Sequence, residues 1–121
     1  MKKIFSIVVI IYLSLGVYAS IAVPAKVADM LWKGKQAIET GQYEEAVNSL
    51  GDILTALGNQ TKSPEIISFG ATVQAYGIIS MGNDQLIPTA KHYLNVAIEN
   101  DPNWEYPQVL LKTIKAKESD K

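Results

Sequence analysis

The chain has 121 residues, room for one small domain, and 48 % of them are hydrophobic, so it can bury a core. It contains no cysteine, which excludes disulfide staples, thiolate metal sites, a cysteine nucleophile and a lipid-modified cysteine. All eleven basic residues are lysine and the formal net charge is −1; without Lys2 and Lys3, nine lysines face twelve acids, so the body has no electrostatic reason to bind nucleic acid or anionic lipid.

Residues 1–22 carry the three parts of a secretory signal. Lys2 and Lys3 open it, Ile4 to Leu15 form an apolar run, and small residues follow at cleavage spacing in Val17-Tyr18-Ala19 or Ser20-Ile21-Ala22. The pattern predicts export to the periplasm or beyond, with a mature chain starting at Ser20 or Val23. The alternative is an uncleaved anchor, since the stretch between Lys3 and Lys26 is uncharged and roughly 20 apolar residues span a bilayer. Contact with a membrane is expected only in that second case.

From residue 23 onward apolar residues recur at helical spacing, without sustained strand alternation, which predicts an all-α domain over 23–121. Five helices are expected. The first covers about 24–40, with Val27, Leu31, Gly34 and Ile38 on one stripe, and Gly41-Gln42 turns the chain. The second covers about 43–57, with Ala46, Val47, Leu50, Ile53, Leu54 and Leu57 inward, and Gly58-Asn59 ends it. After a polar loop, Ser63-Pro64-Glu65 supplies a capping hydroxyl, an N-terminal proline and an acid for a third helix reaching about Met81. Gly82-Asn83-Asp84 breaks it. The fourth covers about 86–100, with Pro88 tolerated in its first turn, and Asp101-Pro102-Asn103 closes it. The fifth covers about 104–117, with Lys112, Lys115 and Lys117 toward the negative end of the helix and Trp104 against the fourth helix. The tail from Glu118 is expected to fray.

The spacing Gly34-x6-Gly41-x-Tyr43-x2-Ala46-x3-Leu50 resembles the tetratricopeptide repeat signature, and Ala75, Gly82, Ala90, Leu94, Ala97 and Pro102 follow in corresponding order. Ala46 to Ala90 and Leu50 to Leu94 are each 44 apart, longer than the family's 34. Lys33, Gln74, Met30, Ala71 and Gly58 depart from its preferred residues. The resemblance implies two α-α hairpins and a C-terminal capping helix, with Gly34 and Ala46 facing each other at the close crossing and Tyr43 packed across the turn. It also implies a concave face formed by the first helix of each pair, on which a peptide or protein partner would lie. That face holds Leu31, Lys35 and Ile38 on the first helix, Phe69, Thr72 and Tyr76 on the third, and Tyr106 and Val109 on the fifth. Phe69 and Tyr76 fit either this groove or the core.

Chemistry-bearing patterns are sparse. His92 stands alone, with no His-Glu-x-x-His, paired histidine or Asp-x-Asp loop near it, and no Gly-x-Ser-x-Gly elbow or phosphate loop occurs. Glu44, Glu45 and Asp52 fit the outer arc of an amphipathic helix better than an acid/base pair. Asn59-Gln60-Thr61 matches a glycosylation acceptor by pattern alone. The expectation is therefore no enzyme, no metal and no cofactor, but a protein-interaction module of the bacterial envelope. Its alternative is a structural or accessory subunit, or a homo-oligomer, since two repeats bury little surface.

Overall fold

A computed structural model describes residues 24–58 and 63–119. The signal-like segment 1–22, the Asn59-Gln60-Thr61 pattern and the last two residues lie outside the described residues. Among the described residues there are five α-helices, one short 3-10 turn and no strand. The helices are α1 (Ala25–Glu39), α2 (Tyr43–Ala56), α3 (Pro64–Met81), α4 (Ile87–Asn100) and α5 (Tyr106–Ser119), with the 3-10 turn at Asp84–Leu86. No helix among the described residues is long and apolar enough to cross a membrane.

Glycine sets the helix ends. Gly41, Gly58 and Gly82 all take positive φ, at 80°, 65° and 71°. At Gly41 the closure is a full Schellman turn: Gln42 N donates to Ala37 O at 2.8 Å, and Gly41 N donates to Ile38 O at 3.1 Å. The start of α3 uses two of its three expected signals. Pro64 occupies the first turn and Glu65 lies beside it, but the Ser63 hydroxyl makes no cap. The Ser63 carbonyl instead accepts from Ile66 N and Ile67 N. In front of α4 the Asn83 side chain accepts from Gln85 N at 2.9 Å and shapes the 3-10 turn.

α1 packs most extensively on α2, and α3 on α4; α3 also meets α1 and α2, and α5 lies on α4. α3 is consequently the central helix, buried at Ile66, Ser68, Phe69, Ala71, Thr72, Val73 and Ala75 around most of its circumference. Two hydroxyls join helices side to side: Ser49 Oγ donates to Met30 O at 2.7 Å, and buried Ser68 Oγ donates to Ala97 O at 2.8 Å. One core cluster gathers Leu31, Ile38, Ala46, Ile53, Phe69 and Trp104, and a second gathers Ala75, Ala90, Leu94 and Ile114.

At three positions the structure shows neighbours that the sequence did not indicate. Gly34 does face a close neighbour, but the atoms nearest it belong to Phe69 and Ser49 and not to Ala46. The Tyr43 ring stacks on Tyr76 at 5.7 Å, and its hydroxyl end lies on Gly77 of α3. Trp104 belongs to no helix and reaches α1 instead of resting on α4, because its indole N–H finds a carboxylate there. α5 also runs on to Ser119, so Lys117 alone of the three lysines sits in its last turn.

Candidate functional site

The eight residues assigned to a concave face divide sharply. Leu31, Ile38, Phe69 and Thr72 are buried, Phe69 with no exposed surface at all. Thr72 turns its hydroxyl back onto Ser68 O at 2.8 Å, within its own helix. Lys35, Tyr76 and Tyr106 are half-buried, and Val109 is 52 % exposed. The upper part of the expected groove is thus interior: the connector between α4 and α5 folds across it.

That connector brings together a polar and aromatic cluster. Lys35 Nζ lies 2.9 Å from Asp101 Oδ2, with side chains only 18 % and 10 % exposed. The same ammonium sits 4.7 Å from the centre of the Trp104 ring. Trp104 Nε1 donates to Glu39 Oε2 at 2.6 Å, a charge-assisted bond. Phe69 and Tyr106 flank the indole, with ring centres 6.3 Å and 6.0 Å away. Burial, then the neighbouring Tyr76, then Glu39 push the Tyr106 hydroxyl up to about 12, since each disfavours a phenolate. Lys35 and Glu39 are one turn apart on α1, so a single helix face offers both a cation and an acceptor.

None of the eight residues lines the open cleft of the structure. A cleft of about 390 Å³ runs between the end of α3 and the second half of α5, floored by Ile79, Ile87, Leu110 and Ile114 and edged by Thr113 and Lys117. Ile79 lies three residues after Tyr76, and Leu110 four after Tyr106, so both continue faces already singled out in the sequence. That periodicity could have found them. A second apolar groove of about 340 Å³ lies elsewhere, lined by Leu50, Leu54, Ile67, Tyr93 and Val96. His92 borders it, exposed, with its ring 5.9 Å from that of Tyr93.

Glu39, Asp101 and Trp104 carry the densest chemistry of the structure, and the sequence pattern did not single them out as a unit. They lie 65 and 66 positions from their partners, and no local spacing encodes that pairing. Among the described residues no group of three or more His, Asp or Glu is placed to hold a metal ion. No protein-family model matches the chain, and no curated protein or solved structure matches it at a significant level.

Proposed function

We propose that the chain is a protein-interaction module of the bacterial envelope, built as two tetratricopeptide-like hairpins and a terminal helix. It engages a peptide or protein segment in the cleft between α3 and α5. The observation that carries the reading is the cleft itself: an open apolar trough lined by Ile79 at the end of α3, Ile87 at the start of α4, and Leu110 and Ile114 of α5. Support for the hairpin arrangement comes from the pairwise packing of α1 with α2 and α3 with α4. The Gly41 turn and the fully buried small residues Ala46, Ala90 and Ala97 add to it. Export rests on the signal-like pattern of residues 1–22.

A photo-crosslinking residue at Thr113, on the cleft edge, is the test, with Gln74 on another face as control. A discrete adduct in the native envelope from position 113 and none from 74 supports the reading. Equal labelling from both positions, or none from 113, removes the cleft as the binding surface.

A further inference from the structure

Two helix faces lie outside both core clusters and at opposite ends of the stack, since α2 packs on α1 and α3, and α5 on α4. On α2, Glu44, Val47 and Gly51 follow one another three and four residues apart, and all are exposed, Val47 by 39 %. On α5, Val109 and Lys112 are three apart and exposed, Val109 by 52 %. Gly51 is the member of this set that the single chain does not explain. Glycine is a poor helix former, and a Cβ here would meet nothing within 4 Å, so the close approach that glycine permits goes unused. The two helices also carry opposite charge. α2 has Glu44, Glu45 and Asp52 and no lysine, with both glutamates in its first turn. α5 has Lys112, Lys115 and Lys117 in its second half, and its one acid, Glu118, is bound to Lys91 at 2.7 Å. Among the described residues neither Glu44 nor Lys112 has an ion-pair partner.

We propose that the outer face of α2 receives α5 of a second copy of this chain, joining copies head to tail. Charge and spacing together select that occupant. Laid antiparallel, the two helices set Val47 on Val109 and Glu44 against Lys112, because each pair is separated by three residues. The acidic first turn of α2 then lies along the lysine-bearing half of α5, so side-chain charges and helix dipoles are complementary. Gly51, one turn further along α2, lets the first turn of α5 come close. The contact joins unlike faces, so every bound copy keeps one free face of each kind, and association runs on into a ring or a chain. Exposed ion pairs are individually weak, and the Debye length is about 3 Å at 1 M salt, so the assembly is a weak one that salt dissolves. The inference goes beyond the α3–α5 cleft: crosslinking of a foreign protein from Thr113 and the association of purified chains fail independently.

The test is sedimentation equilibrium of the protein as recovered from expressing cells, at low salt and at concentrations up to about 1 mM, the weak end of specific association. The average mass should rise with concentration past that of a dimer and return to that of a monomer in 1 M salt. Glu44→Lys with Glu45→Lys should weaken association about tenfold or more, and so should Lys112→Glu with Lys115→Glu, because each places like charges face to face. An equimolar mixture of the two variants should associate again, since the untouched α5 of the first meets the untouched α2 of the second. Gly51→Gln supplies a variant that leaves the charges alone: it should weaken association while raising the melting temperature in dilute solution. A wild type that stays monomeric throughout overturns the proposal, as does either charge-reversed variant associating like the wild type. A mixture that fails to reassociate overturns it too, and so does a Gly51→Gln chain with unchanged association. Association that stops at a dimer would join like faces, and the head-to-tail assignment would fall.

Discussion

Gly34 and Phe69 occupy each other's space: a Cβ on Gly34 would lie 2.5 Å from Phe69 Cζ and 2.9 Å from its Cε2. Phe69 is fully buried, so its ring has nowhere to retreat. Gly34→Ala should therefore destabilise the domain although alanine is the better helix former. Overpacking costs roughly 1–3 kcal/mol, against about 1 kcal/mol gained in propensity. Denaturant melts should show the loss, and the double change Gly34→Ala with Phe69→Leu should recover part of it. A Gly34→Ala variant as stable as wild type would mean that α1 and α3 are further apart than described.

Gly51 is the counter-case. It lies inside α2, exposed, and a Cβ there would meet nothing within 4 Å. Gly51→Ala should stabilise by about 0.5–1 kcal/mol through propensity alone. Loss of stability in a thermal melt would show that the outer face of α2 is in contact with something.

The two lysine pairs of α1 should behave differently in double-mutant cycles. Asp29 and Lys33 are 3.2 Å apart but 61 % and 68 % exposed, so their coupling should fall within error. Lys35 and Asp101 are shielded and share the indole, so a coupling of about 0.5–3 kcal/mol is expected. Equal values for the two pairs would contradict the shielding of the second.

Alkaline stability should report on Tyr106. Its hydroxyl keeps its proton up to about 12 in the folded chain, whereas the unfolded chain releases it near the ordinary tyrosine value of 10.0. Between those values the folded state holds more protons, so stability falls as pH rises through that window. Tyr106→Phe should flatten the fall and remove the step near 12 from the tyrosinate absorbance titration. An unchanged titration would place Tyr106 in water.

Helix limits were legible in the sequence because glycine and proline act locally. Gly41, Gly58 and Gly82 end helices at three of the four breaks the sequence indicates, and Pro64 and Pro88 sit in first turns. The open part of the surface was not legible. Leu31 and Ile38 share an apolar stripe of α1, and periodicity states that a stripe is covered without stating by what. Trp104 covers it, from a connector, whereas the sequence placed it at the start of the fifth helix and against the fourth. The hydroxyls of Ser49 and Ser68 were equally silent, because their acceptors are backbone carbonyls of distant helices.

The ties from Lys35 to Asp101 and from Glu39 to Trp104 also bear on how the chain folds. A linear array of helix pairs can assemble piecewise, each pair leaning only on its neighbour. Here the first helix is incomplete until residues 65 and 66 positions downstream have been made. Emerging from a ribosome, or from an export channel, the amino-terminal half therefore stays unfinished while most of the chain follows. The ties that complete α1 are of long sequence separation, and fragments ending before residue 101 should be less stable than the whole domain. If the chain is exported as proposed, that delay has a use: a domain that cannot close early remains threadable.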